Sequence, residues 1–259
     1  MIEKESGLSE VNGNLLEWTY WRNGDAPTLM FLHEGLGSVS LWRDFPQDLA
    51  IATGWSAIAF SRAGYGKSDP CRLPRKSTYM HLEGEVVLPK FLIRMGIEDY
   101  VLVGHSDGGS IALIHAGSNP NCRLRGVITE AAHVFNEEIC IQSVEAIRDQ
   151  YEGGDLKNRL EKHHGANTDC AFYGWCDTWL HPDFRTWNVE NYLANIEVPC
   201  LAIQGEDDNY GTLRQIEAIS SGIKGRCETF IPTKVGHAPH ADRPDLICER
   251  MTLFIKSLS

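Results

Sequence analysis

The sequence predicts an α/β fold in which a mostly parallel sheet carries helices on both faces and is interrupted by one long helical insertion. Three observations carry this expectation. Short, continuous, β-branched apolar runs recur at "TLMFLH" (28–33), "SAIAFS" (56–61), "YVLVGH" (100–105), "GVITEA" (126–131), "PCLAIQG" (199–205) and "CETFIP" (227–232), as strands buried on both faces require. Helix-like segments fall between them at 41–51, 78–95, 107–118, 212–220 and 244–257, and such alternation implies parallel strands. Roughly 65 residues, from about Ala132 to Glu197, contain no convincing strand, where a loop of this kind of fold runs about 2–6 residues.

In chain order, "EVNGNLLEWTYW" places an Asn-Gly turn between strand-like flanks and predicts an opening hairpin. The helix at 78–95 is closed by Gly96, and the one at 107–118 is stopped by Asn119-Pro120. Within the insertion, "NEEICIQSVEAIRDQY" has helical apolar spacing, "DLKNRLEKHH" is charged, and "FYGWCDTWLHPDFRTWNVENYL" is rich in tryptophan. Residues 1–131 and 198–259 are therefore expected to form one core domain, and 132–197 a helical cap, or lid.

Composition narrows the function classes. At 259 residues, with 42% hydrophobic and 23% charged side chains, the chain has the makeup of an ordinary soluble protein. A net charge of −11 offers no basic footprint for nucleic acid and favours a neutral or cationic small substrate over a polyanionic one. "MIEKESGLSE" has no apolar leader, and no later run approaches the roughly 18 residues that cross a bilayer; the expectation is a cytoplasmic protein without membrane partners. The eight cysteines include no C-x-x-C pair and read as reduced and structural. His163 and His164 read as a surface helix end rather than a metal site, so no metal or other cofactor is called for. Assembly into a homo-oligomer is left open.

The chemistry centres on "VLVGHSDGGSIALIHA" (101–116), a buried strand, a serine hemmed by glycines and a buried helix. Gly104, Ser106 and Gly108 match the Gly-x-Ser-x-Gly nucleophile elbow, a strand-to-helix turn so sharp that side chains two positions either side of its centre collide unless very small. The turn raises the Ser106 hydroxyl above the sheet and aims the N-terminal N–H groups of the next helix at the same space.

Six motifs in order resemble the α/β-hydrolase family over essentially the whole chain: "FLHEGLG", "SRAGYGKSD", "GHSDGG", the helical cap, "IQGEDD" and "VGHAPH". The resemblance implies a sheet of about eight strands and the chain order nucleophile, acid, histidine. It puts His237 in the place of the catalytic base, with His240 helping to orient that loop, and Asp208 in the place of the acid, with Asp207 next and Glu206 facing solvent. The oxyanion donors it implies are the backbone N–H groups of Asp107 and Gly35, with Leu36 as fallback. Here the chain departs from the family's His-Gly pattern, since Glu34 follows His33. Ser61 likewise replaces the usual aspartate of the glycine loop, and Arg62 is expected to partner a carboxylate.

Epoxide hydrolases and haloalkane dehalogenases of this fold carry aspartate where this chain has Ser106. The resemblance therefore implies a serine hydrolase, a carboxylesterase by first expectation, acting on a small acyl compound. Thioester, lactone or dienoate carbon–carbon hydrolysis, and a non-catalytic ligand receptor, are the alternatives. Glu34, Leu36, Asp107, Trp175 and Trp179 are candidates for touching substrate. "SDGG" is similar to the elbow of valacyclovir-hydrolase-type enzymes, which raises two readings of Asp107: a site for a substrate cation, or an aspartate favoured by the helix dipole.

Overall fold

The structure, a computed structural model, describes residues 2–118 and 123–258. Eight strands form one sheet: β1 (Glu3–Val11), β2 (Asn14–Arg22), β3 (Thr28–Leu32), β4 (Ser56–Phe60), β5 (Tyr100–His105), β6 (Leu124–Glu130), β7 (Cys200–Ile203) and β8 (Cys227–Phe230). Their spatial order is β1-β2-β4-β3-β5-β6-β7-β8. β1 and β2 form an antiparallel hairpin, β2 meets β4 antiparallel, and the remaining pairs are parallel. The expected Asn-Gly turn is present, with positive φ at both Asn12 (53°) and Gly13 (79°), as a tight hairpin of this hand requires.

The central strands are buried throughout, and successive side chains feed two separate cores. Leu29, Phe31, Ala57, Val101 and Val103 pack beneath α1 (Phe45–Thr53) and α11 (Pro244–Lys256). Met30, Leu32, Ile58, Phe60 and Leu102 pack on the other face with α3 (Leu88–Met95), α4 (Asp107–Ser118) and α9 (Arg214–Gly222). There the rings of Phe60 and Phe91 stack at 4.4 Å.

The single helix expected over 78–95 is instead α2 (Tyr79–Leu82) and α3 joined by a wider, π-type turn at Glu83–Val87. Two features account for it. Pro89 has no N–H to continue the helical ladder, and at Gly84 a Cβ would lie 2.9 Å from the Ile111 carbonyl, so the turn sits directly on α4. Gly96 ends α3 in the left-handed conformation. The expected stop of α4 at Asn119-Pro120 lies outside the described residues.

Between β6 and β7 run α5 (Glu138–Gly153), α6 (Leu156–His164), α7 (Thr168–Leu180) and α8 (Glu190–Leu193). The short helix α10 (Pro239–Asp242) follows β8. Seven of the eight cysteines are free, and Cys122 lies outside the described residues. Among the described residues no helix is long and apolar enough to cross a membrane, and no cluster of three His, Cys, Asp or Glu is placed to hold a metal ion.

One expectation needs correction. His164 is not a surface helix end: it is buried, its Nδ1 accepts from the Gly66 N–H at 3.0 Å, and its Nε2 donates to the Leu36 carbonyl at 2.9 Å. The end of α6 thus ties the insertion to two loops of the sheet edge. His163 meets Ser40 Oγ at 2.8 Å.

Candidate active site

The site is built where β3, β5, β6 and β7 end, the side of a parallel sheet on which ligands gather. β5 runs into α4 through Ser106 alone, whose φ of 51° is rare for a non-glycine residue. The flanking glycines explain how the turn is accommodated. A Cβ on Gly104 would lie 2.2 Å from the Gly108 carbonyl oxygen, and one on Gly108 would lie 1.9 Å from that of Leu32. Ser106 also donates its N–H to the Glu130 carbonyl at 2.8 Å, so its backbone is fixed from both sides.

Ser106 Oγ stands 3.0 Å from His237 Nε2, and His237 Nδ1 stands 2.8 Å from Asp208 Oδ1. Of the three adjacent carboxylates, Asp208 alone turns inward, while Glu206 and Asp207 are exposed. Asp208 Oδ1 also accepts from the N–H groups of Tyr210 (2.8 Å) and Gly211 (3.3 Å), and Oδ2 accepts from Gln204 at 3.3 Å. Burial by itself raises this carboxyl's pKa; the bonds from His237 and Tyr210 outweigh it and hold the group below the ordinary range. Close backbone packing joins the two loops, because a Cβ on Gly205 would meet the Val235 carbonyl at 2.1 Å.

The His237 loop rests on a second layer of histidines. His105 Nε2 donates to the His237 carbonyl at 2.7 Å, and its Nδ1 lies 3.5 Å from the Glu34 carboxylate. Burial disfavours charge on His105, but Glu34 overrides it and raises the pKa to about 9. Burial likewise raises Glu34, and the facing His105 more than reverses this, leaving its carboxyl far below the usual range. His240 meets Glu130 Oε2 at 2.5 Å and lies 4.7 Å from the Trp42 ring, bracing α10 just beyond the loop.

Glu34, unexpected in this position, leaves its loop tightly held. His33 Nε2 accepts from the Arg62 N–H at 3.1 Å, and its Nδ1 donates to the Glu34 carbonyl at 2.8 Å. The Arg62 guanidinium donates to the carbonyls of His33 (2.5 Å) and Glu34 (2.9 Å) and faces Asp107 Oδ2 at 3.7 Å. The carboxylate that Arg62 faces is that of Asp107. Its fully buried side chain also accepts from the Tyr79 hydroxyl and does not line the cavity beside Ser106. The structure thus places the Asp107 carboxylate outside that cavity, with Oδ2 beside a cation and a hydroxyl.

The cavity above Ser106 has a volume of about 90 Å³. Ser106, His237, Glu34, Gly35 and Leu36 line it from the sheet side, with Tyr210; His133, at the start of the insertion, and Cys140, Trp175 and Trp179 line it from the other side. Gly35 lies flat beneath an indole, because a Cβ there would be 2.1 Å from Trp175 Nε1. Sequence reasoning missed His133, Tyr210 and Tyr79. His133, buried beside His237, has its pKa lowered to about 4, first by burial and then by His237, and is neutral. Its position just after β6 was the available signal, since strand ends border the cleft in such sheets.

A profile of the α/β-hydrolase fold matches residues 27–191, more than half of the chain. The chain belongs to the α/β-hydrolase family. This α/β hydrolase is 28% identical over 127 residues to epoxide hydrolase 2 of Siraitia grosvenorii, across 48% of its own length and 38% of that protein's. It is 32% identical over 107 residues to the sn-1-specific diacylglycerol lipase ABHD11 of Danio rerio, across 41% and 32% of the two chains. The matches thus span half or less of these curated relatives. Solved structures with the same fold include naproxen esterase from Bacillus subtilis, at a TM-score of 0.75 and 18% identity over 98% of this chain and 92% of that one. Esterase RhEst1 from Rhodococcus sp. ECU1013 superposes at a TM-score of 0.72 and 17% identity over 100% and 99%.

Proposed function

We propose that this α/β hydrolase cleaves a small, uncharged carboxylic ester through an acyl-Ser106 intermediate. The observation that carries the reading is the unbroken Asp208–His237–Ser106 chain of hydrogen bonds opening onto the cavity. A serine hydroxyl becomes an effective nucleophile when a base within hydrogen-bond reach takes its proton and a third group fixes that base's tautomer. His237 is the base, and Asp208 holds its Nδ1 protonated so that Nε2 faces Ser106. The tetrahedral oxyanion is received by the backbone N–H groups of Asp107, at the start of α4, and Gly35. His237 then delivers its proton to the leaving alcohol and activates the water that releases the acid.

Two features support a small and neutral substrate. A cavity of about 90 Å³ suits a short acyl chain between Trp175, Trp179 and Tyr210. The Asp107 carboxylate is withdrawn onto Arg62 and Tyr79, and the Glu34 carboxylate that lines the cavity faces His105, so both already have a cationic partner. The insertion acts as the cap that closes this space. Serine at position 106 argues against epoxide opening, in spite of the likeness to epoxide hydrolase 2.

Hydrolysis of p-nitrophenyl acetate, butyrate and octanoate by wild type and Ser106→Ala tests the proposal. Turnover should fall steeply from butyrate to octanoate and vanish in the variant. Equal hydrolysis by both proteins would remove Ser106 from the reaction, and turnover of a coloured dienoate with none of the esters would move the same residues to carbon–carbon cleavage.

A further inference from the structure

A second reactive cluster stands where the insertion meets the sheet domain, outside the ester site. Cys71 lies in the loop between β4 and α2, and Cys170 lies in the first turn of α7. Their Sγ atoms are 3.2 Å apart across 99 positions of sequence. Arg75 completes the cluster: its Nε donates to Cys71 Sγ at 3.3 Å, while its guanidinium bonds the Tyr65 hydroxyl and lies 4.5 Å from that ring's centre.

Two glycines make the space. At Gly64, whose φ is +86°, a Cβ would come within 2.7 Å of Cys71 Sγ and 3.0 Å of Cys170 Sγ; at Gly174 it would come within 2.7 Å of Arg75 Nε. The arrangement also favours the thiolate of Cys71. The hydrogen bond from Cys170 is the foremost cause, burial opposes it, and the Arg75 charge adds to it, bringing Cys71 to about 6, while Cys170 is pushed up. Both thiols are partly exposed, and Cys71 lines an open cavity of about 590 Å³ through which a small oxidant can reach it.

We propose that Cys71 and Cys170 form a peroxide-reactive thiol pair that closes to a reversible disulfide, tying α7 to the sheet-domain loop. Cys71 thiolate attacks one oxygen of hydrogen peroxide, the O–O bond breaks, and the departing hydroxide takes a proton to become water. This leaves a sulfenic acid on Cys71. Cys170 then attacks that sulfur; the S–S bond forms, the S–O bond breaks, and a second water leaves with the Cys170 proton. The two thiols lose two electrons in all, and the peroxide is reduced to two waters. Closing from the present separation to a bond of about 2.05 Å requires a combined shift of roughly 1 Å. Because α7 also carries Trp175 and Trp179, the bond would tether one wall of the ester cavity. The other close pair, Cys200 and Cys227, sits in register on adjacent strands with Cys200 fully buried.

The test is peptide mapping under non-reducing conditions after brief treatment of the folded protein with hydrogen peroxide, followed by denaturing alkylation. A Cys71–Cys170 linked peptide that dithiothreitol abolishes is expected. In Cys170→Ser a dimedone adduct should accumulate on Cys71, and in Arg75→Gln the oxidation should slow on the order of tenfold as thiolate is lost. Wild-type Cys71 and Cys170 that both remain alkylated after peroxide, or a linked peptide from Cys200–Cys227 in their place, would overturn the proposal. This readout is independent of ester turnover, so its failure and that of the proposed hydrolysis are distinguishable.

Discussion

The two walls of the cavity above Ser106 are held by different forces. On the sheet side, Ser106, His237 and Asp208 are positioned by backbone against backbone, with Gly104, Gly108 and Gly205 at contacts that no Cβ could enter. Hydrogen bonds from main-chain N–H groups then orient Asp208. On the insertion side, Trp179 is set among Phe184, Trp187 and His133 rings 4.7–5.9 Å away and donates to the Tyr79 hydroxyl at 3.2 Å. Aromatic packing of this kind tolerates rearrangement in a way that colliding backbones do not. Substitutions on the sheet wall should therefore remove turnover, and those on the insertion wall should change which esters are turned over.

The largest effect expected is for Asp208→Asn, which leaves the packing intact but lets His237 present the wrong tautomer; kcat should fall by about 10⁴, read from p-nitrophenyl acetate kinetics with an unchanged circular dichroism spectrum. Next comes Gly108→Ala. Its Cβ would fall 1.9 Å from the Leu32 carbonyl oxygen, and overpacking against rigid backbone should cost about 3 kcal/mol, seen as a lower urea midpoint. A loss under 0.5 kcal/mol would mean that this wall yields as readily as the other.

Glu34→Gln probes the charge pair beneath the His237 loop. His105 has its pKa raised from 6.5 to about 9 in the folded state, so its contribution is complete below pH 6.5 and lost as pH rises through about 9. Glu34 is shifted below its ordinary 4.5, so its contribution is present above that value and lost as pH falls through the lowered pKa. Wild type should exceed the variant by roughly 2 kcal/mol at pH 6, and the gap should narrow toward pH 9 in urea unfolding. The smallest effect is expected at the insertion wall: Trp175→Leu should raise octanoate turnover relative to acetate by about tenfold while leaving acetate kcat within a few-fold. A matched loss on both esters would place Trp175 in the chemistry instead.

The sheet wall was also the more legible of the two in the sequence. Asn12-Gly13, the β-branched runs and the glycines around Ser106 each encode a local backbone requirement, and the structure has the hairpin, the parallel sheet and the positive φ at Ser106. What local pattern could not supply was the partner of a charged side chain. Arg62 and Asp107 lie 45 positions apart and meet only after β4 and α4 pack, which is why Asp107 looked available to a substrate. His164 read as a polar helix end because its acceptor and donor, Leu36 and Gly66, belong to loops remote in sequence. In the insertion, six aromatics were visible between 172 and 187, but only the fold determines that Trp175 and Trp179 face the cavity while Phe172 stacks on Tyr151 at 3.6 Å.

The central claim is that Ser106 is the activated nucleophile of this site, and intact-mass analysis after fluorophosphonate treatment of wild type, Ser106→Ala and Asp208→Asn tests it most directly. Wild type should gain one adduct within minutes, Asp208→Asn should label far more slowly, and Ser106→Ala should not label. An adduct that persists in Ser106→Ala, or a wild type that takes none while hydrolysing p-nitrophenyl acetate, would contradict the account.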